Sequence, residues 1–176
     1  MWKMISLKNN VWYVDATGSI IKAIQNQKLP YLYSIIAHDL ENKCLIPVFE
    51  FITTSHSTKN IEKYLMTYKN ILEDNGLNNA SLIVTDESWA LVNSLMLVFN
   101  QMQTTHYLNW CYLMLFSDSA KRDKNFVNSV KYKHLFCSFH FLKNIIKKSK
   151  KIDCSDKIRN AFIFCFTLLQ NSRLKN

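Results

Sequence analysis

The stretch Ser81–Phe99, SLIVTDESWALVNSLMLVF, changes hydrophobic period partway along. Leu82-Ile83-Val84 is apolar, largely β-branched and too short for a helix, which predicts a buried strand running into Thr85-Asp86. Leu91, Val92, Leu95, Met96 and Phe99 then recur at helical spacing, with Ser88 as the N-cap of an amphipathic helix. The chain therefore presents a carboxylate at the carboxyl end of a strand, facing the start of a helix. In α/β sheets, ligands and active sites collect at such junctions. The remaining sequence has to supply partners for Asp86.

The 176 residues suffice for one domain with a real core, and 48% apolar content marks a globular chain. Only Gly18, Gly76, Pro30 and Pro47 interrupt it, which argues against a flexible linker or a loop-dominated protein. No apolar run is long enough to span a bilayer, so no membrane partner is expected. The first ten residues, MWKMISLKNN, lack the apolar core of a signal peptide, which predicts a reducing, intracellular setting. Five scattered cysteines make no disulfide framework and read as small buried hydrophobes. Lys plus Arg outnumber Asp plus Glu by 22 to 13, a formal charge of +9. Such a balance attracts polyanions, and nucleic acid is the commonest inside cells. The alternative is a basic protein with no particular partner.

Val11–Asp15, VWYVD, predicts a strand, followed by a turn at Ala16-Thr17-Gly18-Ser19 and a return arm over residues 19–24. Tyr31–Ala37 and Cys44–Thr53 predict two more strands, linked by a polar turn at 39–43. Pro47 points to an edge or a bulge in the third. Short links favour an antiparallel meander. A helix over about Ser57–Asp74 follows, with Ile61, Tyr64, Leu65, Tyr68, Ile71 and Leu72 on one face and Gly76 as its stop. A strand arriving after such a crossover is expected to run parallel to one already in the sheet. Thr105–Phe116 suits either a strand or a buried helix, and Ser117–Asn128 reads as a loop. Lys133–Phe139 reads as a short strand, Phe139–Lys151 as a basic helix and Asp156–Leu169 as a helix apolar on several sides.

In this order the first strand and the strand after the crossover are plausible neighbours, so Asp15 and Asp86 come together at adjacent strand ends. Paired carboxylates repel unless a cation is bound, and oxygen ligands select Mg²⁺ or Mn²⁺. Divalent ions held this way suit phosphodiester chemistry. Taken singly, each acid has a plainer reading: Asp15 starting a turn, Asp86 capping the next helix.

YVDATGS, the three-strand meander, IVTDESWALVNSLMLVF and LFCSFHFLKNI together resemble the transposase domain of Mutator-like elements, a branch of the RNase H-like superfamily. The resemblance covers about residues 10–150. It implies an RNase H-like mixed sheet, with an antiparallel three-strand meander, a parallel strand after a crossover helix, and flanking helices. It also implies metal-dependent DNA cleavage and strand transfer, a DNA partner and a nuclear location. The family's triad is an Asp on the first strand, an Asp after the fourth and a later Glu, with Cys-x-x-His between the last two. Here those positions are Asp15, Asp86, Cys137 and His140, but no Glu follows Glu87. The expectation is one C-terminally incomplete domain over residues 1–176, a decayed element fragment whose catalysis is lost. The rival reading is a non-catalytic nucleic-acid- or protein-binding module from a domesticated element.

Cys137 and His140 also have the spacing of a zinc pair, yet zinc needs about four ligands. His134, Cys154, Cys111 and His106 are the further candidates, and a buried Cys beside a satisfied His is the alternative. Lys143, Lys147, Lys148, Lys150 and Lys151 suit a phosphate-facing patch, or equally a solvated helix end. Tyr107, Trp110 and Tyr112 suit base stacking or core packing.

Overall fold

The computed structural model describes residues 11–18, 22, 25, 26, 28–39, 42–77 and 80–172, and the side chains of all of these except 39, 138, 139, 141 and 166–172. Most of the expected return arm over 19–24 lies outside the described residues. Two compact units divide the chain, residues 1–135 and 136–176.

The first unit is built on a mixed five-strand sheet: β1 (Val11–Gly18), β2 (Tyr31–Asp39), β3 (Cys44–Thr53), β4 (Leu82–Thr85) and β5 (Lys133–Phe136), in the order β3-β2-β1-β4-β5. β1, β2 and β3 pair antiparallel, and β4 lies parallel to β1. The parallel pair follows from the helical crossover between β3 and β4, which returns the chain in its starting direction. β1 does not turn at Ala16. It stays paired with β2 as far as Gly18 opposite Tyr31, because cross-strand pairing outweighs the turn composition of Ala16-Thr17-Gly18. Asp15 thus sits inside the strand, opposite Ser34. Pro47 lies on the edge strand, where a missing N–H costs least. The register there jumps from Ile35↔Phe49 to Ile36↔Pro47, so Val48 is the extra residue of a bulge.

Period-two alternation places Trp12 and Val14 of β1, Tyr33, Ile35 and Ala37 of β2 and Ile83 of β4 in the core, while Tyr13 between them is 44% exposed. Helix α1 (Thr58–Asp74) covers that face with Ile61, Leu65, Tyr68 and Leu72. Trp12 packs at 5.4 Å from Tyr68 and 5.8 Å from Phe99 between ring centroids. Ser57 accepts from the Asn60 N–H at the start of α1, and Gly76 ends it at φ 62°, a conformation that favours glycine. Ile71 falls off the buried face and is 45% exposed; Lys69 takes the inner position with its ammonium 3.7 Å from Glu73.

Helix α2 (Trp89–Leu95) begins at the Ser88 cap and runs into a π-helical turn, Met96–Asn100, closed by Gln101 at φ 56°. Thr105–Phe116 resolves as helix α3 (Thr104–Phe116). The expected loop at 117–128 is instead two five-residue helices, α4 (Asp118–Arg122) and α5 (Lys124–Asn128). Ser117 caps the first and Asp123 the second, and Trp110 Nε1 donates to the Phe126 carbonyl at 2.9 Å. Caps and one tertiary bond stabilise helices too short to persist alone.

In the second unit, helix α6 (Ser138–Ser149) starts where the sequence predicted strand to continue, and α7 (Asp156–Ser172) follows. Arg159 of α7 pairs with Asp156 and donates to the carbonyls of Ser149, Ile152 and Cys154, tying α7 to the end of α6. Ile158, Phe162 and Phe164 of α7 are exposed, so its apolar character extends beyond the covered face. No helix among the described residues is long and apolar enough to cross a membrane.

Candidate metal and nucleic-acid site

The register of β1 against β4 builds the site. Val11 lies opposite Leu82, and the pairing runs in step to Val14 opposite Thr85. The ladder ends there, so Asp15 and Asp86 each directly follow its last pair. Val14 and Thr85 are buried, so alternation puts Asp15 on the other, more open side of the sheet; Asp15 and Asp86 are both half-buried.

Local bonds orient each carboxylate. Asp15 Oδ1 accepts from the Ala16 N–H at 2.8 Å. Asp86 Oδ1 accepts from the Ser88 N–H at 3.0 Å, and Ser88 in turn accepts from the Leu91 N–H. Asp86 therefore makes the turn that leads into α2, while Ser88 is the cap itself. Behind Asp86, Thr85 Oγ1 donates to the Asp86 carbonyl at 2.7 Å and lies 2.8 Å from His134 Nε2 on β5. Burial lowers the His134 pKa to about 4, so its ring is neutral there.

Four neighbours of this edge escaped the sequence reading. Ser34 faces Asp15, and Glu50 faces Ser34 with Oε1 accepting from the Ser34 hydroxyl at 2.8 Å. Glu50, Ser34 and Asp15 thus form one transverse row on one face. Tyr33, opposite Ala16, is fully buried, and its pKa rises to about 12 through burial and then the nearby charge of Asp86. Its hydroxyl meets His56 Nδ1 at 2.5 Å. Strand alternation could have flagged Glu50 and Ser34; the Tyr33–His56 pair left no local signal.

Among the described residues, no group of three or more His, Cys, Asp and Glu is placed to hold a metal ion. Asp15 and Asp86 directly follow the Val14↔Thr85 pair of the parallel β1–β4 ladder. Cys137 and His140 open α6 in the second unit, Cys137 as its N-cap residue without a side-chain cap bond. The other suggested zinc ligands are dispersed: Cys111 on α3, Cys154 between α6 and α7, His134 bonded to Thr85, and His106 on α3. Lys143, Lys147, Lys148, Lys150 and Lys151 are all exposed, the first three on α6 and the others just beyond it. Tyr107 and Trp110 are core residues, stacked at 6.1 Å, whereas Tyr112 is 60% exposed.

No family model matches the chain. Part of it is similar to the 120.7 kDa protein in the NOF-FB transposable element of Drosophila melanogaster, at 28% identity over 103 residues. The match covers 56% of the chain and 9% of that protein's length. It supports an origin in a transposable element. The mixed five-strand sheet and its flanking helices make the chain an α/β protein.

Proposed function

We propose that the chain carries the core of an RNase H-like transposase domain of the Mutator-like kind, in which Asp15 and Asp86 are the metal-holding acids. The carrying observation is the parallel Val14↔Thr85 register, one residue before each aspartate, which supports a side-by-side placement of the two carboxylates. The antiparallel meander with β4 parallel to β1 supports the same reading, as does the similarity to a transposable-element protein. Two carboxylates fit Mg²⁺ or Mn²⁺, which accept few protein ligands and fill the remaining positions with water and phosphate oxygens. Such an ion supplies Lewis-acid activation of a phosphodiester and of the attacking oxygen. The chain's own residues hold the carboxylates: Ala16 and Ser88 through their N–H groups, Thr85 and His134 through the backbone behind Asp86.

On this reading DNA cleavage and strand transfer are the ancestral activity, DNA is the partner and the nucleus is the location. The exposed lysines 143, 147, 148, 150 and 151 favour the second reading, a non-catalytic nucleic-acid-binding module, with Cys137 and His140 as an accessory zinc pair. Calorimetry with Mn²⁺ separates the two. The metal reading expects binding by the native chain that disappears in Asp15→Ala and in Asp86→Ala. Absence of any Mn²⁺ heat from the native chain would sink it and leave the binding module.

A further inference from the structure

The loop between β3 and α1 places an exposed imidazole at the same end of the sheet as Asp15 and Asp86. His56 is held on two sides. Its Nδ1 meets the Tyr33 hydroxyl at 2.5 Å, and its ring stands edge-on to Tyr31 with centroids 3.6 Å apart. Tyr33 is itself immobilised, fully buried and stacked in parallel on Phe51 at 4.8 Å. Flanking bonds pin the loop: Ser55 N–H donates to Thr53 Oγ1 at 3.1 Å and Ser57 N–H to Ser55 Oγ at 3.4 Å. A surface histidine rarely has a buried tyrosine dedicated to it, since fixing an exposed side chain costs rotamer entropy.

The placement is one register step from Asp15, at the same end of the sheet but on its opposite, helix-covered face. Tyr33 lies opposite Ala16, next to Asp15, and Tyr31 lies opposite Gly18. Burial, and then the charge of Asp86, raise the pKa of the Tyr33 phenol, so it keeps its proton and can donate to Nδ1. In the tautomer in which Nδ1 accepts that bond, the ring proton sits on Nε2, the nitrogen turned away from Tyr33. The first turn of α1 adds Lys59 and no acid.

We propose that His56 is a phosphate-contacting residue, whose Nε2–H, oriented by Tyr33, donates to a backbone oxygen of a DNA strand lying across the Asp15–Asp86 edge. This rests on reading that edge as a nucleic-acid site, but not on whether it holds a metal. Tyr33 is a positioning residue: it touches no substrate and sets which imidazole nitrogen is presented.

The test is fluorescence anisotropy of the full chain with a mixed-sequence duplex of about 20 base pairs, without divalent ions, over a salt series starting near 50 mM. His56→Ala is expected to weaken binding about threefold to tenfold, the effect of one donor to a charged acceptor. The dependence on salt should keep its slope, because no cation is removed. His56→Gln, which returns an N–H near the Nε2 position, should restore affinity to within about twofold. Tyr33→Phe keeps the stack on Phe51 but releases the imidazole, and should fall between native and His56→Ala at unchanged Tm. Native affinity in His56→Ala, a change in salt slope, no rescue by His56→Gln, or no duplex binding by the native chain would each overturn the inference. Mn²⁺ calorimetry on the same variants keeps the two claims apart. Binding lost only in the aspartate variants upholds the metal site whatever His56 does, and no Mn²⁺ binding with a His56 effect upholds the phosphate contact alone.

Discussion

Thr85 Oγ1 lies 2.8 Å from Nε2 of His134, forty-nine residues further along the chain. The threonine hydroxyl has one proton, and it goes to the Asp86 carbonyl at 2.7 Å. Nε2 must therefore carry the ring proton and donate it to Thr85, which defines a neutral tautomer. Tyr107 completes the arrangement, its hydroxyl accepting from the His134 N–H at 2.8 Å and donating to the His134 carbonyl at 3.4 Å. A relay from β5 through β4 thus holds the backbone from which the Asp86 carboxylate projects.

This relay predicts acid lability. His134 titrates at about 4 in the folded chain and near 6.5 when unfolded, so between these values the unfolded state binds more protons. The stabilisation from burying the neutral ring is complete above pH 6.5 and is lost as pH falls toward 4. The loss approaches on the order of 2–3 kcal/mol. Urea midpoints measured from pH 7 to pH 4 should decline through this window. His134→Gln, which keeps a donor near the Nε2 position and cannot titrate, should flatten the decline; an identical profile in that variant would rule His134 out as the cause.

A second prediction concerns the π-helical turn. Asn100 is buried there, and its Oδ1 accepts from the backbone N–H groups of Lys131 and Tyr132 at 2.9 and 3.0 Å. Its Nδ2 donates to the Tyr132 carbonyl at 3.1 Å. One side chain thereby takes the place of a neighbouring strand for the segment that leads into β5. Asn100→Ala strips three backbone groups of these partners, two of them buried on Tyr132, and should cost about 2–4 kcal/mol. The change should appear as a lower urea midpoint at constant m. A loss under about 1 kcal/mol would mean that water replaces the amide.

Much of this fold was legible because local pattern and long-range pairing agree. Cys44–Thr53 is rich in β-branched and aromatic residues, carries Pro47 at an edge position and forms over that same span. The parallel pairing of β1 with β4 followed from strand order and from the sense that a helical crossover imposes. Where the two levels disagree, local composition misled. Ala16-Thr17-Gly18 has turn chemistry, yet β2 keeps it extended through Gly18↔Tyr31. The polar run from Ser117 carries no helical period, because helices of five residues have no room to show one, and only Ser117, Asp123 and Trp110 hold them. Tyr33–His56 and Thr85–His134 join residues 23 and 49 positions apart. No spacing rule reports such pairs; they depend on which strands become neighbours and which side chains share a face.

The lysines beyond the Cys-x-x-His element give a third prediction. Lys147, Lys148, Lys150 and Lys151 are exposed at and after the end of α6, where cations also suit the helix dipole. If they touch DNA, replacing all four with Gln should lower the slope of log affinity against log salt by about 0.9 for each phosphate no longer neutralised. The His56 contribution should remain in that background. If they only solvate the helix end, affinity and slope stay unchanged while thermal stability drops slightly.

The fourth prediction turns on the sign of a stability change. Asp15 lies in β1 and Asp86 directly follows the neighbouring strand β4; on the proposed reading their carboxylates repel, and local N–H groups offset only part of that repulsion in the metal-free chain. Neutralising one of them should therefore stabilise that chain, as is common where function keeps like charges together. Half-burial and screening limit the gain from Asp15→Asn to about 1 kcal/mol or less, a rise in Tm of about 3 °C for a chain of this size. The amide oxygen of Asn preserves the bond from the Ala16 N–H. If Asp15 served only as a local turn former, the same substitution would be neutral or mildly destabilising. Mn²⁺ sharpens the contrast: at a hundredfold excess over its Kd it should stabilise the native chain by about 2.7 kcal/mol and Asp15→Asn much less. Thermal scans of both proteins with and without Mn²⁺ read all four corners. A native chain that gains nothing from Mn²⁺, beside an Asp15→Asn variant that is no more stable than the native, would leave the two aspartates as ordinary turn residues.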